Sequence, residues 1–215
     1  FVAADYWVVI FGKPSISTPW GVQWDGHHVA INLTMVGERM TMSPSFIGTQ
    51  PHRFLLGRDE VAPMGEEAEG MHAFMKSLSE GQRKQAVRSE KRGRMLAGPG
   101  KDGTLPKPLG LSCQTLDAAQ REILMRLIGH WVGHLPEAAA ARRMKEIEAQ
   151  LDETTFVWNG PLGPEGDASF HLYGPALIIE FLGQDLGGDP HDHLHSIYRD
   201  PTNEYGAKWL ETKDG

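Results

Sequence analysis

Cysteine is nearly absent: Cys113 is the one cysteine in 215 residues, so there is no internal disulfide and no sulfur-based zinc cluster. It has no histidine beside it in sequence, which argues against a cysteine nucleophile. Basic residues are also scarce. Lys and Arg number 21 against 28 Asp and Glu, giving a formal charge of −7 and a pI near 5.8. That balance argues against a general nucleic-acid or anionic-membrane binder, which needs basic surface to release counterions or meet headgroups. No apolar run approaches the roughly 18 residues of a membrane span. The chain contains no GxSxG elbow, no phosphate-binding glycine loop and no CxxC pair. It begins at Phe1, inside an apolar run, without a charged leader. We therefore expect a fragment truncated at its N-terminus, with any localisation signal outside this chain.

The hydrophobic content of 40% suits a globular chain, and the length suits one domain over residues 1–215. Strand patterns open the sequence. Asp5–Gly12 is β-branched and aromatic, and Trp24–Met35 alternates, with Val29, Ile31, Leu33 and Met35 on one face and His28, Ala30, Asn32 and Thr34 on the other. A hairpin turn at Val36–Glu38 leads to a return strand at Arg39–Met42, which Pro44 and Gly48 are expected to break. Helical spacing follows. Met71, Phe74, Met75 and Leu78 recur between Glu60 and Arg88, and Ser79 with Gln82 forms a capping-box pattern for a second helix. Residues 91–113 read as a long loop, either a lid or disordered. Helices are expected at Thr115–Leu135 and from Pro136 to about Leu151. Short strands then follow at Thr154–Asn159, Ala168–Tyr173, Ala176–Leu182 and His193–Tyr198. The sum is an α+β fold: an antiparallel sheet of hairpins and a meander, with a central helical segment packed on one face.

Histidine is the residue that stands out. His191, His193 and His195 alternate within Asp189–Asp200, so a strand would place them on one face. His191 follows Pro190 and is the weaker member. Strand parity sends His28, His171, Glu180, His193 and His195 away from their apolar rows, with Tyr173 beside His171. Two or three imidazoles with a carboxylate suit zinc, copper or iron. The expected ligands are His28, His193 and His195. Glu180 would be a fourth ligand or a general base, and His171 either a residue supporting the ligands from behind or an acid-base residue. His27 and His28 cannot share a face in a strand; parity favours His28, and a bulge at Gly26 would reverse the choice. Asn32, Tyr173, Arg199 and Asp200 are candidates for supporting or substrate contacts, Arg199 as a fork-shaped donor to a carboxylate, with an Arg199–Asp200 ion pair as the plainer alternative. His130 and His134 have helical metal spacing but lack the glutamate of HExxH, and His52 and His72 are isolated; all four read as structural.

Taken together, Pro19-Trp20-Gly21, Gly26-His27-His28, Pro44-Ser45-Phe46 with Gly48, Gly174-Pro175, Ile179-Glu180-Phe181 and His193-Leu194-His195-Ser196 with Arg199-Asp200 resemble the uncharacterised family catalogued as domain of unknown function 3500. The resemblance runs along essentially the whole chain. It implies no established activity, and it favours an exported, periplasmic or extracellular protein of bacterial type. The chain departs from the family pattern at Leu182-Gly183 and Asp192, where polar Asp-Asn and Asn are expected.

Three readings remain open at this stage. The first is a metal-dependent enzyme, hydrolytic or oxidative, acting on a small molecule. The second is a non-catalytic metal- or ligand-binding protein using the same pocket. The third is a metal-free histidine network that holds the meander together. No nucleic-acid partner is expected, and the oligomeric state is not legible.

Overall fold

The computed structural model describes residues 5–104, 106–107, 109–163, 167–185 and 189–210. Its sheet is built from two antiparallel meanders joined edge to edge. The first contains β1 (Trp7–Phe11), β2 (Trp20–Gly26), β3 (Val29–Val36) and β4 (Arg39–Thr49). A separate hairpin follows, β5 (Phe54–Leu56) with β6 (Asp59–Val61), and then helices α1 (Gly65–Ser77) and α2 (Glu80–Ala86). Short strands β7 (Val87–Ser89) and β8 (Leu111–Ser112) precede helices α3 (Ala118–Val132) and α4 (Glu137–Ala149). The second meander is β9 (Thr155–Asn159), β10 (Ser169–Tyr173), β11 (Ile178–Gly183) and β12 (Leu194–Arg199), and a short helix α5 (Ala207–Leu210) ends the described chain.

Strand order is β1-β2-β3-β4-β12-β11-β10-β9-β7, with β8 also on β9, in a sheet of ten strands. Every pairing is antiparallel except β7 with β9. The fold is α+β, as the alternation of strand and helix patterns predicts.

Helices cover one face of the second meander. Alternation in β9–β11 sends Phe156, Trp158, Phe170, Leu172, Ile179 and Phe181 to that side, where they meet Phe74, Leu124, Ile128 and Trp131. The Trp131 ring stands edge-on to Phe170 and Phe181. Its indole N–H donates to Ser196 Oγ at 2.6 Å, tying α3 to β12. Both capping boxes are formed, Ser79 with Gln82 on α2 and Asp117 with Gln120 on α3, so these helix starts are fixed locally.

The opposite face of the same strands is covered by chain without regular structure. The segment after β7 runs over β10–β12, where Ala97 packs with Tyr173, Ile178 and Ile197. Gly93 N donates to Ser169 Oγ at 2.9 Å, and Arg92 pairs with Asp167 at 2.8 Å and with Asp185. This is the long connection expected over 91–113. Positions 105 and 108 lie outside the described residues, and the part from Arg92 to Ala97 is fastened to the sheet as a strap.

Two expectations need correction. Trp24–Met35 is not one strand: Gly26 pairs with Val29, and His27 and His28 form the turn between β2 and β3. The alternation on either side was continuous enough to hide a two-residue turn that uses neither Asn nor a central Gly. Pro44 and Gly48 do not end the return strand, because β4 runs from Arg39 through both to Thr49. A register shift opposite β3 between Ile31 and Leu33 accommodates Pro44, and Asn32 Nδ2 donates to the Pro44 carbonyl at 2.9 Å. Among the described residues no helix is long and apolar enough to cross a membrane.

Candidate metal centre

The strap-covered face of the sheet is where the histidines gather. His195 lies on β12 opposite Gly48 of β4. His193 precedes the strand by one residue, but Gln184 N donates to its carbonyl at 2.8 Å, which extends the pairing with β11 and keeps His193 on the face of His195. The third imidazole arrives from the β2–β3 turn, held over β4 by a bond from Gly48 N to the His28 carbonyl at 2.9 Å.

The three side chains converge tightly. His28, His193 and His195 each offer a ring nitrogen, and these atoms all lie within 4.8 Å of one another. The Nε2 atoms of His28 and His193 are 3.0 Å apart. Ring centroids are separated by 5.0 Å for His28 and His193, 5.1 Å for His28 and His195, and 4.6 Å for His193 and His195. Nitrogens that share one tetrahedral zinc at ~2.0–2.1 Å stand about 3.3 Å from each other, so small ring rotations would bring all three to a common ion. The group could hold a metal.

Gly48 makes room for it. A Cβ at this position would lie 2.5 Å from His195 Cδ2, 3.0 Å from the Leu194 carbonyl oxygen and 3.1 Å from His28 Cδ2. Glycine inside a strand often marks such a close approach. On the other side of His195 the Phe46 ring is 5.1 Å away.

Electrostatics favour neutral rings. Burial lowers the His28 pKa to about 4, helped by repulsion from His27 and His193. Burial likewise lowers His195 to about 4, helped by His193, His28 and His27. Both therefore present lone pairs at neutral pH, as metal ligands must. His27 is exposed, its ring 4.4 Å from that of His28, and it is not among the three.

The carboxylate expected beside them has other work. Glu180 is fully buried; its Oε1 accepts the Tyr173 hydroxyl at 2.6 Å and its Oε2 accepts the Leu96 and Ala97 amides at 2.8 and 3.0 Å. It fastens the strap and is not in the histidine group. His171 is buried next to it, with burial lowering its pKa and Nε2 lacking a partner among the described residues. Arg199 does not pair with Asp200. Its guanidinium binds Glu204, the Ala97 carbonyl at 3.1 Å and Asp102 at 3.6 Å. Asp200 instead pairs with Arg143 at 3.0 Å and accepts from Thr202.

A cleft of about 230 Å³ continues along the same face, walled by Phe46 and Ile197 on the histidine side and by Ala97, Gly98 and Pro99 of the strap. Gln23, Asp25, Asn32, Asp102, Arg199 and Tyr205 give it polar lining. Sequence pattern did not single out Gln23, Asp25 or Tyr205, and it named Phe46 only within the Pro44-Ser45-Phe46 motif; the pairing of β2 with β3 sets Gln23 across from Asn32. The remaining histidines lie elsewhere. His52, His72 and His191 border a larger cavity of about 530 Å³ lined also by Met71, Phe181 and Leu194, whose side chains face the helices. The expected alternation therefore fails for His191, which is exposed in a turn closed by Asp189. His130 faces Glu66 at 3.2 Å.

This chain belongs to the family described as protein of unknown function (DUF3500), whose model matches residues 2–207. No curated protein and no solved structure matches it.

Proposed function

We propose that this protein is a metal-dependent enzyme acting on a small molecule, with His28, His193 and His195 as the metal ligands. The observation that carries the reading is the convergence of three imidazole nitrogens within 4.8 Å. His28 and His195 are partly exposed, and the convergence lies beside a cleft. Three protein ligands with a fourth position open to solvent is the pattern of catalytic zinc sites, whereas structural sites close with four. A zinc, copper or iron ion bound there supplies an electrophilic centre for hydrolytic or oxidative chemistry, and the identity of the ion chooses between them.

The protein's own groups supply the rest. Gly48 and Phe46 fix the His195 ring, and the turn bond from Gly48 fixes His28. Glu180 and Tyr173 act at one remove, holding the strap that roofs the cleft. His171, buried with them, belongs to the same support.

The 3.0 Å approach of His28 Nε2 to His193 Nε2 also fits a hydrogen bond between neutral rings, which favours the metal-free network as the second reading. Elemental analysis of purified protein, beside a His193→Ala/His195→Ala double variant, separates the two. We expect near-stoichiometric zinc, copper or iron that the variant lacks. Protein that takes up none of these ions after incubation with each would leave the network reading in place.

A further inference from the structure

The cleft beside the histidines has a chemical character of its own. Gln23 of β2 lies directly across from Asn32 of β3, and Asp25 across from Ala30, whose small side chain leaves space between them. Among the described residues the side chains of Gln23 and Asp25 make no hydrogen bond or ion pair with protein. Asn32 spends one of its two amide N–H bonds on the Pro44 carbonyl, and its side-chain oxygen has no protein donor among the described residues. Such groups, unspent on a cleft wall, are available to a ligand, and a carboxylate with two carboxamides offers acceptors together with N–H donors, a mixed set that hydroxyl groups satisfy.

The sequence pattern suggested Arg199 as an anion receptor, but the residue is buried and its guanidinium is already engaged by Glu204, Asp102 and the Ala97 carbonyl. Among the described residues Arg199 is the one cation lining the cleft, where Asp25 and Asp102 are both present. An anionic ligand would meet unpaired negative charge there and find no free cation. Phe46 adds an apolar wall shared with His195. The volume of about 230 Å³ equals that of roughly eight waters, room for a monosaccharide-sized molecule and not for a polymer.

We propose that this cleft binds a small polyhydroxylated, sugar-like molecule that is neutral or amino-substituted and carries no carboxylate or phosphate. The proposal rests on the metal-site reading, because the cleft is taken as the substrate approach to the three histidines. Asp25 then selects donors, hydroxyl or ammonium, and Phe46 packs against the C–H face of the ring.

Glucose, glucosamine and glucuronate carry neutral, cationic and anionic versions of one frame. Ligand-observed NMR with zinc-loaded and chelated protein, with zinc content measured on the same samples, reads their binding. Glucose and glucosamine are expected to bind, with glucuronate about tenfold weaker or undetectable. Asp25→Asn should remove the advantage of glucosamine and narrow the deficit of glucuronate, with the melting temperature unchanged because Asp25 has no protein partner to lose. Equal or tighter binding of glucuronate, or binding of none of the three by folded protein, overturns the ligand class. Zinc uptake without sugar binding removes this inference alone. Sugar binding by protein that takes no zinc keeps the ligand class and removes the metal reading.

Discussion

Gly48 sets the spacing of the histidine group although it offers no side chain to it. Adding a single methyl group would press on the His195 and His28 rings and on a backbone oxygen of the adjacent strand. Gly48→Ala is therefore expected to cost about 1–3 kcal/mol, the range for overpacking, and to lower zinc occupancy well before the fold is lost. Thermal melting and elemental analysis measure the two separately; full occupancy in the variant would remove the close-approach argument. The proposed ligands give a second prediction. His28 and His195 stay neutral down to about pH 4, so protons compete weakly with metal between pH 7 and 5.5. Titration of bound zinc against a metallochromic indicator should show a shallow loss over that interval, whereas ordinary imidazoles would give a steep one beginning near pH 6.5.

Among the elements, the strap from Arg92 to Ala97 is the least expected and the most consequential. Residue pattern gave a long loop and no hint of its anchor, since Glu180 looked like a ligand. In the fold, Glu180 receives two backbone amides and a tyrosine hydroxyl at the centre of the sheet face. Glu180→Ala should cost about 1–3 kcal/mol for each buried donor left unsatisfied, and should speed hydrogen exchange at Leu96 and Ala97 while leaving zinc stoichiometry close to wild type. Loss of zinc without any change in exchange would restore Glu180 to the metal. The β2–β3 turn teaches a related lesson. Parity placed His28 correctly away from the core row, yet His28 reaches the group from a turn, where strand parity has no authority.

For the whole molecule, the neutral histidines make the fold sensitive to acid. Burial lowers His28 and His195 to about 4 and lowers His171, His52 and His72 as well. Once unfolded, each binds a proton near the ordinary imidazole value of 6.5, so the unfolded state holds more protons as pH falls. Stability should therefore be constant above about pH 7 and decline as pH falls below about 6.5, with His28 and His195 adding no further loss below about 4. Burial raises Asp200 and Glu67, which act in the opposite sense at the acid end and make the upper part of the window the cleaner test. Chemical denaturation at pH 7.5, 6.5 and 5.5 checks it; a flat profile would contradict the assignment. Metal bound to the folded state adds stability by mass action, about 2.7 kcal/mol at a hundred times the dissociation constant. Zinc should raise the melting temperature of the wild type and leave that of His193→Ala/His195→Ala unmoved.

What the sequence by itself determined was local and periodic. Alternation and helical spacing gave the α+β class, the four strands of the second meander within one or two residues, and the Ser79–Gln82 capping box, because each depends on neighbours in the chain, whereas the second box at Asp117–Gln120 went unread. The same alternation put His193 and His195 on one face. Tertiary structure decided what depends on distant segments meeting. It joined the two meanders through β4 and β12, and it set His28 against His193 across 165 residues. It also spent Glu180 and Arg199 on the strap and turned His191 away from its neighbours. A carboxylate, a guanidinium or an imidazole has the same pattern in sequence whether it binds a ligand or a backbone amide. Which partner it takes is settled by the space and the donors around it, and those come from other parts of the chain.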